Sequence, residues 1–430
     1  MTEFSFQDGL EFAAGMDARD PLAHFRERFC FPRTENGENC IYLCGHSLGL
    51  QPKAAKSYLE QELRDWAELG VEGHFHAKHP WVPYHRLLTQ ETAALVGAES
   101  SEVVVMNSLT VNLHLMMASF YRPTPQRHRI LVEGSAFPSD QYALKSQIEF
   151  HGFDPVSSLL ELTPREGESC LRDEDIVSMI EREAESIALI LFGGVNYVTG
   201  QLFDMAQITE TGRRAGCVVG FDLAHAVGNV QLKLHEWGPD FAVWCSYKYL
   251  NGGPGCVGGC FVHERHGCAW ELPRFTGWWG HDERSRFQMG PDFRPMQGAE
   301  GWQLSNPPIL ALAALRAAMD IFAEAGMDRL RAKSVSLTSY MEFLLNRQGD
   351  RQISPPFEIL TPKEPSRRGA QLSIRLPRNG RQLCNQLIVE GVIGDWREPD
   401  TFRVAGVPLY NSYQDVYRFA QHFSKRLSWR

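Results

Sequence analysis

The chain has 430 residues, 43% hydrophobic and 22% charged, with 43 Lys+Arg against 52 Asp+Glu for a formal net charge of -9. That length and composition provide for a large core and two or more domains, while the acidic balance, with no basic tract interleaved with aromatics, excludes nucleic acid as a partner. The start, "MTEFSFQDGLEFAAGMDARD", lacks the order of a signal peptide, no apolar run is long enough for a bilayer, and the 10 cysteines have no paired CxxC spacing, so a cytoplasmic protein with reduced thiols and no membrane partner is expected.

Taken in chain order, the first motif is "CGHSLGLQP", which puts Ser47 in the G-x-S-x-G pattern of a hydrolase nucleophile elbow. Too little chain precedes it for the strands and oxyanion loop of that fold, so a serine hydrolase stands only as an alternative. The histidines of "HFHAKHPWVPYH", His74 among them, have spacings that match no standard zinc pattern and bring no carboxylate, which suits a solvated or substrate-lining loop.

From Glu102 to Glu264, short β-branched runs alternate with helical stretches: "EVVVMN", "RILVE", "SIALILF", "CVVGFD", "DFAVWC" and "GGCFVHE". Between the third and fourth, "DMAQITETGRRAG" has the apolar spacing and closing glycine of a crossover helix, so the sheet is mostly parallel. Chemistry in such sheets collects at the carboxyl ends of the strands. Ser108 and Thr110 open a helix after the first run, where free N–H groups and the helix dipole make an anion site, although capping alone explains many such residues. Phe137 and Asp140 follow the second run in "AFPSD"; the phenyl face suits a flat heteroaromatic ring, and the same residues also serve as ordinary helix starters. Asp222 ends "CVVGFD" with His225 just beyond, and Lys248 follows "DFAVWC" in "SYKYLNGGPG". Singly, Asp222 reads as a helix N-cap and Lys248 as a loop lysine. Together, an amine and a carboxylate at the mouth of a parallel sheet meet the needs of pyridoxal phosphate: a covalent link to its aldehyde, and an anion for its ring nitrogen. "GPGCVG", Gly253 to Gly258, formally matches the dinucleotide fingerprint but contains proline and leads into a strand, so it fails that test. After Ser305 the texture changes to a long Ala/Leu-rich helical run and then short strands, which places a smaller second domain there.

Across most of the chain, in "HSLGLQP", "NSLTVNLH", "AFPSD", "FDLAHAVGN", "SYKYLNGGPG", "GWWGH", "LSNPPIL", "DWREPD" and "RVAGVPLYNS" in that order, the sequence resembles the kynureninase family, fold-type-I pyridoxal-phosphate enzymes of tryptophan breakdown. The resemblance implies an α/β fold: residues 1–60 as a segment packing with the small domain, 61–305 as the large cofactor-binding domain on a mostly parallel seven-stranded sheet, and 306–430 as the small C-terminal α/β domain. It implies hydrolytic Cβ–Cγ cleavage of L-kynurenine or 3-hydroxy-L-kynurenine to L-alanine and anthranilate or 3-hydroxyanthranilate, in catabolism or NAD synthesis. By the same resemblance Lys248 carries the cofactor and acts as base, Tyr247 holds the phosphate and acts as acid, and Asp222 pairs with the ring nitrogen. Phe137 stacks on the ring with Asp140 and His225 beside it, Leu109 and Thr110 hold the phosphate, and Trp278 and Asn306 complete the pocket from the partner of a homodimer. Arg403 grips the substrate α-carboxylate, and Ser47, His74 and Asn306 lie near its aromatic end. The chain departs from the family pattern at His46 in "GHSLG", at "RVAG" after Arg403, at Gly193 where a Ser or Thr is usual, and at Ala77. A cysteine desulfurase, the alternative within this cofactor class, needs an accessible late cysteine, whereas Cys384 in "RQLCNQLIVEGV" has core spacing. A cofactor-fold protein kept only as a sensor tends to lose the lysine or its carboxylate, and both are present here.

Overall fold

The computed structural model describes residues 5–349 and 357–427. Each run expected as a strand forms one: β1 (Val103–Val105), β2 (Arg129–Glu133), β4 (Ile187–Gly193), β5 (Val218–Asp222), β6 (Phe241–Trp244) and β7 (Gly259–Val262). With the edge strand β3 (Leu159–Leu162), which no run announces, they build a seven-stranded sheet in the order β1-β7-β6-β5-β4-β2-β3. β7 alone runs against the direction of the other six strands, so the sheet is mostly parallel. Strands β4, β5 and β6 read as unbroken apolar runs because helices cover both faces, and their side chains are buried almost throughout. The crossover helix (Met205–Arg214) forms as expected, its N-terminus capped by Asp204, which accepts from Gln207 N at 2.9 Å. Gly212 faces the sheet, where a Cβ would lie 2.6 Å from Val219 Cγ2, so glycine lets that helix sit close.

A second, four-stranded antiparallel sheet comprises β8 (Glu358–Ile359), β9 (Gln371–Arg375), β10 (Asp395–Arg397) and β11 (Thr401–Ala405), in the order β8-β9-β11-β10. Its core contains Leu337, Leu372, Phe402 and Phe419, together with Ala13, Ile41 and Leu43 from the N-terminal segment. Ile41–Tyr42 pairs in parallel with Val392–Ile393, whereas Phe25, Phe29 and Leu50 from the same segment enter the larger core. The Ala/Leu-rich run after Ser305 becomes helix Ile309–Ala325, which buries Leu312, Leu315, Met319 and Phe322 in the larger core as well. The smaller core takes up the chain from Leu337, within the following helix Met327–Gly349.

A partly buried ion cluster ties the connection between β7 and the helical run to the segment carrying His85 and Arg86. Glu300 accepts from Arg86 Nε at 2.9 Å and Nη2 at 2.8 Å, and lies 3.2 Å from His85 Nε2. Burial pushes the Glu300 carboxyl up, but the hydrogen bonds from His85 and Arg86 outweigh it and hold the group down at about 2. A carboxyl depressed on folding stabilises above its unfolded pKa, and that contribution fades as pH falls toward the folded value. Glu300→Gln is therefore expected to lose about 2 kcal/mol at pH 7. Thermal unfolding of both proteins across pH should show the gap closing below roughly pH 4.5.

Candidate functional site

The carboxyl ends of β2, β4 and β5 open onto one cavity, where Glu133, Gly193 and Asp222, the last residues of those strands, form the floor. The turn after β6 brings Tyr247 and Lys248, and the starts of helices Leu109–Phe120 and Pro138–Phe150 supply Leu109, Thr110, Phe137, Ser139 and Asp140. Ala224, His225 and Tyr197 close the lining.

At one end of the cavity the first helix is open to an anion. Ser108 is its N-cap residue yet makes no side-chain capping bond, so the capping reading fails and the N–H groups of the first turn stay available. Thr110 Oγ1 and Ser139 Oγ lie 3.0 Å apart beside it. Gly258 allows β7 to pass this close, since a Cβ there would lie 2.7 Å from Trp244 O and 3.2 Å from Leu109 N.

Three carboxyls share the same lining with the one amine. Asp222 Oδ1 accepts from Ala224 N at 2.7 Å, an Asx turn in place of a helix cap, and burial raises its pKa. Asp140 Oδ1 is buried without a partner, and burial together with Asp222 pushes that carboxyl well above the usual range. Glu133 takes the Gly193 N–H on both oxygens, at 3.1 and 3.2 Å, and burial raises its carboxyl to about 8. Lys248 Nζ lies 5.8 Å from the Phe137 ring centroid and 5.9 Å from that of Tyr247. Burial keeps Tyr247 protonated, and burial with Lys248 nearby keeps His225 neutral, its Nδ1 without a partner.

Arg403 lies outside this lining but is joined to it. Its Nη1 donates to Tyr197 O at 2.6 Å, and the Tyr197 ring meets Phe137 edge-on at 5.1 Å. Its Nη2 donates to Asp395, directly across the strand pair, and to Ser47 Oγ at 3.2 Å. Ser47 donates to Asp395 Oδ2 at 2.7 Å, and Arg397 Nε donates to the same oxygen at 3.1 Å. Burial pushes the Asp395 carboxyl up, but Arg403 and the Ser47 hydroxyl outweigh it and hold it at about 2. The loop around Ser47 packs on the lysine turn, Gly49 N donating to Tyr247 O at 2.8 Å.

The remaining expected residues do not reach the cavity within one chain. His74 packs on Trp81 and lies 3.0 Å from Val71 O, Trp278 lines a separate pocket with Phe293, and Asn306 is exposed. Ser47, engaged by Asp395 and Arg403, is bonded to no histidine base, and no helix follows it before Ala55, so the nucleophile-elbow reading fails. His74, His76, His79 and His85 contact Val71, Glu72, Arg316 and Glu300 respectively, and gather around no common point. Cys384 is buried in helix Gly380–Val389, away from any catalytic role of an exposed thiol.

Glu133, Ser139, Tyr197 and Asp395 were not among the expected site residues. Glu133 closes "RILVE" as Asp222 closes "CVVGFD", so the strand-end rule that found one also marks the other. Ser139 and Asp395 stand inside quoted motifs and Tyr197 in the turn after "SIALILF", but only pairing and folding reveal what they touch. Gly193 has a structural reason to be small, since a Cβ there would lie 2.9 Å from Glu133 Oε1.

Residues 330–423 match the family model "Kynureninase C-terminal domain" and residues 41–359 match "Aminotransferase class-V". A kynureninase of Koribacter versatilis is 66% identical over 428 residues, covering 100% of both chains, and one of Myxococcus xanthus is 57% identical over 98% of each. Among solved structures, the cysteine desulfurase CsdA of Escherichia coli superposes with a TM-score of 0.76 at 18% identity, covering 95% of this chain and 98% of that one. A C-DES variant carrying glycine covalently linked to its PLP cofactor gives 0.75 at 16% identity, covering 93% and 98%. At such identities these two establish the fold alone, the α/β fold-type-I architecture.

The buried Glu133 makes a stability prediction. A carboxyl whose pKa is raised on folding contributes stability below its unfolded pKa and loses it as pH rises through the folded value. The apoprotein is expected to lose stability between roughly pH 4.5 and 8, and Glu133→Gln to remove about 2 kcal/mol or more of that decline. Thermal melts of both apoproteins from pH 5 to 9 check this; parallel pH profiles would contradict it.

Proposed function

The chain belongs to the kynureninase family, and from that premise we propose that its cavity takes L-kynurenine, or the 3-hydroxy form, and splits the Cβ–Cγ bond with water. The products are L-alanine and anthranilate or 3-hydroxyanthranilate. The chain is a hydrolase that works with pyridoxal phosphate. The observation that carries the reading is Lys248 and Asp222 on one cavity whose other end is an uncapped helix N-terminus.

The residues fit the cofactor. Lys248 would supply an amine for the aldehyde, Asp222, with Asp140 beside it, would offer an acceptor to a protonated ring nitrogen, and Phe137 and His225 would lie against the ring. Leu109 N–H, Thr110, Ser139 and Tyr247 surround the place for the phosphate. When bound there, the cofactor supplies an electron sink that stabilises negative charge on the substrate's Cα and Cβ. With the cofactor bound, Lys248 would be the base that takes the Cα proton and later returns one. Tyr247, kept protonated by burial, delivers a proton to Cβ as the acyl group leaves. Arg403 binds the α-carboxylate, and Tyr197, which accepts from Arg403, fixes that guanidinium relative to Phe137.

We extend the reading to the assembly. Trp278 and Asn306 lie outside their own chain's cavity, and Trp278 shares an exposed aromatic surface with Phe287 and Phe75. A homodimer that covers this surface places both residues, with His74, at the partner's site. The segments 1–60, 61–305 and 306–430 are the units of this reading, the last carrying Arg403, with helix Ile309–Ala325 as the joint buried in the larger core. All ten cysteines are free thiols, which supports a reducing, cytoplasmic setting. No helix among the described residues is long and apolar enough to cross a membrane.

Purified protein is expected to show a visible cofactor band and to release fluorescent anthranilate from L-kynurenine. Lys248→Ala should lose both, and Arg403→Ala should keep the band while kcat/KM falls about a hundredfold. A band without anthranilate would move the substrate to another acyl alanine, and no band after adding pyridoxal phosphate would sink the reading.

A further inference from the structure

Arg403 is buried with 1% of its surface exposed, and its hydrogen-bond donors are unevenly spent. Nη1 is engaged by Tyr197 O and Nη2 by Asp395 and Ser47, while Nε is buried with no partner. Asp395 is the only carboxylate that ion-pairs with this guanidinium among the described residues, and it also serves Arg397. Two guanidiniums therefore share one carboxylate. His46, fully buried 3.8 Å from Asp395, is kept neutral by burial and by Arg403, and adds no charge. One carboxylate thus serves both the buried Arg403 and the partly exposed Arg397, and the Arg403 Nε–H stays unspent.

From this geometry we propose that Asp395 is the positioning residue for substrate carboxylate recognition. The proposal rests on the reading of Arg403 as the carboxylate-binding residue. Asp395 faces Arg403 across the antiparallel strand pair, so the ion pair is set by backbone register instead of a flexible loop. Ser47 bridges the pair, donating to Asp395 and accepting from Arg403, which fixes the plane of the guanidinium. Held at both ends, by Asp395 and by Tyr197 O, the guanidinium cannot swing, and its unspent Nε–H is presented in one direction. Asp395 thus raises affinity for an amino acid over the matching amine without touching the substrate. A carboxylate that merely blocked the arginine would do the opposite, and its removal would tighten amino-acid binding.

The test titrates the visible band of the holoenzyme with L-alanine and with ethylamine, which differ by the carboxylate alone. In Asp395→Asn, the preference for alanine over ethylamine is expected to fall about tenfold or more with ethylamine affinity unchanged. Asp395→Glu, which keeps the charge, should recover part of that preference. Ser47→Ala, which keeps both charges and loses only the bridge, should give up about threefold of it and covers the case of an Asp395→Asn protein that fails to load cofactor. Unchanged or tighter alanine binding in Asp395→Asn, equal weakening of both ligands, or a Ser47→Ala protein as discriminating as wild type would each overturn the proposal. The Arg403 reading is judged separately: Arg403→Ala that keeps wild-type preference for alanine overturns that reading, and with it the role of Asp395, whereas absence of anthranilate release alone bears only on the acyl group.

Discussion

Everything at this site follows from burying Glu133, Asp140 and Asp222 beside a single amine. Three carboxyls in a poorly solvated cavity cannot all ionise together, because each charge loses hydration and repels the others. The protein satisfies part of the demand with backbone: Gly193 N–H on Glu133 and Ala224 N–H on Asp222. Asp140 Oδ1 receives nothing. Asp140 and Asp222 hydrogen-bond to each other, and what remains is a shortage of donors beside them, which a flat, protonated heteroaromatic ring would relieve. The cavity is thus costly when empty and well suited when filled, and cofactor binding and fold stability are thermodynamically linked.

The sheet makes that concentration of acid groups possible. Parallel strands end together, and the register pairs Gly193 with Asp222 directly across β4 and β5, so a residue without a side chain stands next to the key carboxylate. The vacant space is taken by Glu133, reaching from β2. On the other side the reversed β7 passes beneath the start of helix Leu109–Phe120, and Gly258 keeps its backbone close without blocking Leu109 N. One glycine makes room for an acid and the other for an anion. Both are packing requirements as much as functional ones.

The strands flanking the site were legible in the sequence because two-sided burial leaves no polar residue to interrupt them, as in "SIALILF". The edge strand β3 was not, since "LLEL" is only partly buried and carries a charge, which removes the run that betrays a strand. Residues on strand ends and motif turns, Lys248, Asp222, Phe137 and Thr110, came out of the sequence because local chain position nearly decides where they point. Asp395 and Tyr197 did not, for their contacts appear only on folding: strand pairing sets Asp395 opposite Arg403 and the chain returns Ser47 to it, while Tyr197 meets Arg403 from the other sheet. Trp278, Asn306 and His74 have a different obstacle: no contact within one chain shows what they do.

How Arg403 reaches the site is the final structural question, since it stands on the smaller sheet and Lys248 on the larger. The answer lies in the loop Asn196–Gln201, an extension of β4. Asn196 folds it by accepting from Val198 N and Thr199 N, which turns its following carbonyls outward. The smaller sheet takes them in succession: Arg403 and Gln371 donate to Tyr197 O, Gln371 and Ser373 to Val198 O, and Thr361 to Thr199 O. Buried donors without these acceptors would carry a desolvation cost, so the two sheets are held in one relative placement. Tyr197 turns that placement into chemistry, its carbonyl on the guanidinium and its ring against Phe137. The placement of Arg403 relative to Phe137 is therefore set by a row of backbone carbonyls, a more rigid ruler than any pair of long side chains.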